Sequence, residues 1–391
     1  MSTLRIVLDT APAVWSPGCI IQGKVVLTSS QDEAVSAVTI RFSGKEKTVK
    51  KSGQNSQYTG QVRFFSYVQQ LFRGNYTFSA SKPLEWPFQF VFPDKMALTN
   101  ENFFRGPNDH SLPPTFNYAS PLLSSYTLNC RIQYKLTAEL ERPSTFSLTL
   151  SEERRLPFTP HRSELSPAVT VLSTPFPWTV YSKRILPEFE NHEPTMKEKL
   201  ATAFTSRTKL PSSAFRINTR LPSKVILGQT IPILLSATHL PDDSTTKIVP
   251  IIRLRSLKLT IDMRTAFCAY STFSQTDDER VDPKPVVDCS NLDIPLEPQP
   301  CNVGQLLNTI CPRELSPTFT SNIIRRGYAL HLKIIVECAG CTKTIRSSRS
   351  FEILSSSYLL SPPGSPPPPL LLSALEPAAD MDGAQLPAYQ P

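Results

Sequence analysis

Glycine is scarce in this 391-residue chain, at 13 residues, and histidine is scarcer, at five. Few glycines weigh against folds built on Gly-rich phosphate loops, and no Walker-type loop, dinucleotide fingerprint, GxSxG or HExxH string occurs. The histidines (His110, His161, His192, His239, His331) are dispersed. Paired acids such as Asp242-Asp243 and Asp277-Asp278 sit in polar stretches and read as loop solubilisers rather than as an acid and a base. These gaps argue against an enzyme and give no reason to expect a cofactor. No uninterrupted apolar run reaches the roughly 18 residues of a membrane-spanning helix. Met1 to Asp9 carries Arg5 and Asp9 within an alternating pattern and lacks the apolar stretch of a secretory leader. The expected location is therefore the cytoplasm, with the eight cysteines (Cys19, Cys130, Cys268, Cys289, Cys301, Cys311, Cys338, Cys341) reduced.

What the chain has in excess is proline, at 38 residues. That density interrupts helices and central strands, which disfavours a helix bundle, a solenoid or a doubly wound α/β sheet and leaves an all-β architecture with long connections. Lys and Arg number 41 against 33 Asp and Glu, a formal charge of +8. From Ser355 onward there is no Lys or Arg but there are three acids, Glu376, Asp380 and Asp382, so the rest of the chain is more basic still. A basic body favours an anionic partner: phospholipid, a phosphorylated peptide, an acidic cargo segment or nucleic acid. Aromatic residues do not interleave with the basic ones as a base-stacking platform requires, so nucleic acid is not expected.

Period-two alternation marks the strands. Leu4, Ile6 and Leu8 share one face, Val38, Ile40 and Phe42 another, and Ile132, Tyr134, Leu136, Ala138 and Leu140 alternate with Gln133, Lys135, Thr137 and Glu139. After Arg155 the pattern dissolves, and the prolines between Pro157 and Pro211 suggest a linker over 159–211. Met196, Leu200, Ala203 and Phe204 lie at helical spacing behind Glu193-Pro194-Thr195, which predicts a short helix there, either packed on its own domain or free for a membrane or partner. Strand pattern resumes at Ile231, Ile233 and Leu235, at Leu257, Leu259, Ile261 and Met263, and from Tyr328 to Val336, with a turn at Ala339-Gly340 and a return strand ending at Leu354. The expected organisation is a β-sandwich over 1–158, the linker, a second sandwich over 212–355, and a disordered Pro-rich tail over 356–391.

Several strings in this order resemble the arrestin superfamily, and in detail the fungal α-arrestins, the arrestin-related trafficking adaptors. They are Ser16-Pro17-Gly18, Ile21 to Leu27, Val38 to Gly44, Leu71-Phe72-Arg73-Gly74, Trp86 to Pro93, Leu112-Pro113-Pro114-Thr115-Phe116 and Ile132 to Leu140. Gly228 to Ile233 and Cys338-Ala339-Gly340 look like the opening and the last hairpin of that family's second lobe. The resemblance covers roughly residues 1 to 355. It implies two immunoglobulin-like sandwich lobes joined by a short hinge, and a non-catalytic adaptor that binds a plasma-membrane transporter or receptor. It also implies recruitment of a WW-domain HECT ubiquitin ligase through a Pro-x-Tyr motif, at the plasma membrane or endosomes. Leu386, Pro387 and Tyr389 supply one candidate motif. A WW groove takes a preformed polyproline II segment, proline between aromatic rings and tyrosine in a second pocket. One motif offers no avidity across several WW domains, so modest affinity is expected. A retromer-type coat or sorting subunit, which shares the two-lobed fold, is the alternative.

Arg41, Lys45, Lys47, Lys50 and Lys51 cluster around Ser43-Gly44, read as a strand end and its following loop; they form either a site for anionic lipid or an acidic cargo segment, or an ordinary solvated loop. Arg253, Arg255 and Lys258, with Arg325 and Arg326, form a second candidate. Cys338 and Cys341 have the spacing of half a zinc site, but without a second such pair no metal is expected. Ser361 and Ser365 precede prolines, and their phosphorylation would add charge to the acidic tail.

Overall fold

The computed structural model describes residues 2–52, 56–80, 82–97, 103–106, 109–120, 126–143, 149–160, 171–189, 210–271 and 274–355. The expected helix behind Glu193-Pro194-Thr195 and the tail, with Ser361, Ser365, Leu386, Pro387 and Tyr389, lie outside the described residues.

The N-terminal lobe contains β1 (Thr3–Leu8), β2 (Ile20–Thr28), β3 (Glu33–Ser52), β4 (Ser56–Phe78), β5 (Leu84–Val91), β6 (Phe116–Ala119), β7 (Thr127–Glu141) and β8 (Leu150–Arg155). The order β1-β2-β5 makes a small sheet, and β4-β3-β7-β6, with β8 also on β7, makes a large one. Between them lie the residues that alternation assigned inward: Leu4, Ile6, Val38, Ile40, Phe42 and the even-numbered residues of β7 from Ile132 to Leu140. Aromatic rings fill the centre, with Phe92 stacked on Phe158 at 4.4 Å and Tyr134 donating its hydroxyl to the carbonyl of Pro113 at 2.6 Å. The segment where alternation fades, Leu156-Pro157-Phe158, therefore still belongs to this core, and Trp15 N–H fixes it by donating to Pro157 O at 2.8 Å.

The C-terminal lobe contains β9 (Val171–Tyr181), β10 (Ser212–Pro222), β11 (Lys224–Ile226), β12 (Leu234–Leu240), β13 (Ile252–Tyr270), β14 (Gln275–Cys289), β15 (Ile294–Leu296), β16 (Cys301–Asn302), β17 (Phe319–Thr320), β18 (Ile324–Cys338) and β19 (Cys341–Leu354). One sheet runs β16-β12-β10-β9; the other runs β11-β19-β18-β13, with β14 and β15 on β13. The hairpin from β18 to β19 turns at Ala339 and Gly340, both with positive φ, as the sequence led one to expect.

β9 corrects the linker assignment. It lies within 159–211, yet it pairs along its whole length with β10. Phe176, Trp178 and Val180 pack on the core, while Pro175 and Pro177 occupy the opposite parity and hide the alternation. Both prolines also send their missing N–H groups to one side, which an edge strand leaves unpaired. The same device recurs with Pro87 in β5 and with Pro283 and Pro285 in β14, strands that pair on one side only. The prolines that disfavour central strands thus mark sheet edges.

The lobes do not merely adjoin through a hinge. Thr59 of β4 pairs with Tyr270 of β13, which merges the two large sheets into one twelve-stranded sheet. Phe267, Cys268, Ala269, Phe319, Ile323 and Ile324 of the second lobe sit in the core of the first. Polar contacts accompany this insertion. Thr48 Oγ1 donates to Cys268 O at 2.6 Å, Arg105 Nε to Thr320 O at 2.9 Å, and Tyr118 Oη to Asp282 at 2.7 Å. Glu46 is wholly buried at this boundary, and burial raises its carboxyl to about 7, an effect that the Ile323 N–H and the Arg105 charge only partly offset.

Candidate functional site

The basic residues around Ser43-Gly44 lie on a strand rather than in a loop, because β3 continues to Ser52 with β4 and β7 paired alongside it. Strand parity then sorts them. Residues 40, 42, 44, 46 and 48 face inward, while Arg41, Lys45, Lys47 and Lys51 face outward. Lys50 is not among them: it turns toward the second lobe, 3.3 Å from Asp278, with its ammonium 4.6 Å from the Tyr126 ring centre. Asp278, read from sequence as a loop acid, is thus a strand residue that also accepts the Tyr126 hydroxyl at 3.0 Å.

Register brings distant cations onto the outward face. Lys47 lies opposite Arg131 of β7, Lys45 opposite Arg63 of β4, and Ser43 opposite Lys135. Lys45, Lys47, Val49, Lys51, Thr127, Asn129, Arg131 and Gln133 line an open depression of about 430 Å³. Partial burial, then the charges of Lys135, Lys47 and Arg63, hold the Lys45 ammonium below the usual lysine range; Glu153 opposes them but is itself paired with Lys135. Crowded like charges of this kind are relieved by an incoming anion. The depression therefore gathers several cations on one outward face of the large sheet.

The C-lobe residues are not brought together. Arg253 and Arg255 both pair with Asp293, Arg255 also holds Glu337 at 2.8 Å, and Lys258 holds Asp288 at 2.7 Å. Arg325 and Arg326 lie beside the far end of β13, near Thr265, about 23 Å along the strand from Lys258 at the ordinary rise per residue. Arg325 is exposed over the ring of Phe104, and Arg326 is buried. Among the described residues no group of three or more His, Cys, Asp or Glu is placed to hold a metal ion. No helix among them is long and apolar enough to cross a membrane.

Residues 4–157, the whole of the cationic lobe, match the family described as Arrestin (or S-antigen), N-terminal domain. The N-terminal lobe is arrestin-like. No curated protein matches the chain. The match supports an arrestin-type trafficking or adaptor role in general, and the arrestin-like lobe carries the cationic depression on its large sheet.

Arg63, Arg131 and Lys135 were missed as site residues by sequence reasoning, because a run of lysines in one strand says nothing of its neighbours. A signal was present. Gln133 and Lys135 were already placed on the wet side of β7, and Arg131 shares their parity.

Proposed function

We propose that this chain is a non-catalytic adaptor of the α-arrestin kind, which binds the acidic cytosolic segment of a plasma-membrane transporter or receptor and brings a WW-domain HECT ubiquitin ligase to it. The observation that carries this reading is the cationic depression of Lys45, Lys47, Lys51 and Arg131 on a lobe that matches the arrestin N-terminal domain. Extended peptides laid on such a surface gain specificity and association rate from charge complementarity. Leu386, Pro387 and Tyr389 provide the ligase-binding element, and the outcome is ubiquitination and endocytosis of the cargo at the plasma membrane or endosomes. Anionic lipid, attracted to the same face, would hold the adaptor near its cargo.

Proximity labelling in cells, comparing the full chain with Tyr389→Ala and with Lys45→Gln/Lys47→Gln, tests both halves. The first variant is expected to lose the ligase and keep the cargo, and the second to lose the cargo. Unchanged labelling in both contradicts the proposal.

A further inference from the structure

A second cationic place lies between the lobes and has a different character. Arg326, only 5% exposed, stands in a crevice of about 520 Å³ whose walls include Phe116 and Tyr118 from the first lobe and Met263, Lys284 and Glu314 from the second. Its Nε donates to Tyr328 Oη at 3.0 Å and its Nη1 to Thr265 Oγ1. Aromatic rings surround the guanidinium, with centres at 5.0 Å for Tyr328, 5.7 Å for Phe116 and 6.0 Å for Tyr118. Its Nη2 has no acceptor and the side chain no ion pair among the described residues. The carboxylates around it are engaged: Asp282 accepts from Tyr118 at 2.7 Å and sits 3.6 Å from Arg280, and Glu314 pairs with Lys284 at 2.7 Å.

A guanidinium offers five N–H donors in a fixed fork, and protein groups take two of them here. Ring quadrupoles stabilise the cation but do not neutralise it. A buried, unneutralised charge whose spare donors face an open crevice is the arrangement of an oxyanion site. Lys284 stands on the same crevice, partly exposed. A dianion that bonds Arg326 and draws Lys284 away from Glu314 neutralises both cations, which a monocarboxylate does not. The crevice is concave and of small-molecule volume, which suits a small molecule better than a flat lipid surface or a folded partner.

We infer that the inter-lobe crevice binds a soluble phosphate monoester, held by Arg326 with Lys284 and resting against Phe116, Tyr118 and Met263. Since its walls come from both lobes, the ligand braces one lobe against the other. The site does not depend on the cargo reading, because none of its residues lies on the cationic sheet face.

Calorimetric titration of the full chain tests it, with inorganic phosphate and glycerol 2-phosphate as probes and acetate at matched ionic strength as control. Saturable binding of both phosphates is expected, with acetate silent, at least tenfold weaker in Arg326→Gln, weaker also in Lys284→Gln, and unchanged in Arg253→Gln/Lys258→Gln, whose cations are already paired with Asp293 and Asp288. Lys284 lies on the edge strand β14, so its variant probes the crevice even if Arg326→Gln does not fold. Wild-type affinity in Lys284→Gln, or phosphate binding no better than acetate, overturns the site. Cosedimentation with phosphatidylcholine vesicles containing phosphatidic acid separates the sources: equal binding by wild type and Arg326→Gln is expected, and Arg326-dependent vesicle binding without binding of the soluble esters overturns the soluble ligand.

Discussion

The backbone N–H of Ile323, in the second lobe, donates to Oε1 of Glu46, in the first, at 3.3 Å. Glu46 stands on the inward parity of β3 with no exposed surface, and its other oxygen, Oε2, has no hydrogen-bond partner among the described residues. A carboxylate so placed is poorly compensated when charged, so the lobe boundary contains a group that folds more readily with its proton on.

Stability should follow that proton. Burial raises the folded carboxyl from 4.5 to about 7, so between those values the folded chain holds a proton that the unfolded chain has released. Stability from this group is full below about pH 4.5, falls as pH rises to about 7, and levels off above it, a loss of roughly 3 kcal/mol. Glu46→Gln should remove that slope and raise the denaturation midpoint at pH 8. Urea unfolding of both chains between pH 5 and pH 8 checks it, and parallel pH profiles would be the contrary result.

Gly60 tests the contact between lobes by sterics. A Cβ there would stand 2.6 Å from Thr48 Oγ1, 2.8 Å from the Cys268 carbonyl and 2.9 Å from Ile323 Cδ1. Two of these belong to the second lobe, and one is backbone, which cannot rotate aside. Gly60→Ala should destabilise the chain by about 1–3 kcal/mol and loosen the lobe boundary. Hydrogen exchange should show faster exchange at the Cys268 amide, which donates to Ile323 O at 2.9 Å. Unaltered exchange and stability would mean that the lobes do not press together at this point.

The all-β class, the inward faces of β3, β7, β13 and β18 and the hairpin at Ala339-Gly340 were legible because alternation in a half-buried strand is a local property. The extent of β9 was not, since Pro175 and Pro177 read as linker residues until the pairing with β10 shows that they line an unpaired edge. Nor was the union of the sheets, because Thr59 and Tyr270 are 211 positions apart and nothing local couples them. The candidate site was half visible. Lys45, Lys47 and Lys51 stood out as a run, but Lys50 shares their stretch and not their face, and Arg63 and Arg131 reach the face only through register. Glu46 was not legible as an inward acid, because the residues after Ser43-Gly44 were expected to form a loop, and only the continuation of β3 to Ser52 gives it inward parity.

The proposed ligase-binding motif should be separable from the fold. Tyr389→Ala is expected to abolish capture of the chain by isolated WW domains, since a linear motif binds through its own side chains. The thermal midpoint should stay the same, because no described core residue lies beyond position 354. Immobilised WW domains with a circular dichroism melt check both, and retained capture would remove Leu386, Pro387 and Tyr389 from the account.

If the depression is the proposed cargo site, its charge should govern binding through salt as well as affinity. Lys47→Glu sets a carboxylate opposite Arg131 and lowers the potential that crowds Lys45. Its effect should fall mainly on association rate and shrink above physiological ionic strength, where the Debye length drops below about 8 Å. Stopped-flow association across a salt series is the check, and a purely dissociative effect, insensitive to salt, would point to a packing role instead.

The most direct test is fluorescence anisotropy with a labelled acidic peptide, titrated with the full chain and with Lys45→Gln/Lys47→Gln/Arg131→Gln. All three substitutions lie on the outward face and should leave the fold intact. At least tenfold weaker binding by the triple variant, with Arg253→Gln/Lys258→Gln unchanged, is the expected result. Equal binding by the wild type and the triple variant would contradict the assignment of this face as the cargo site.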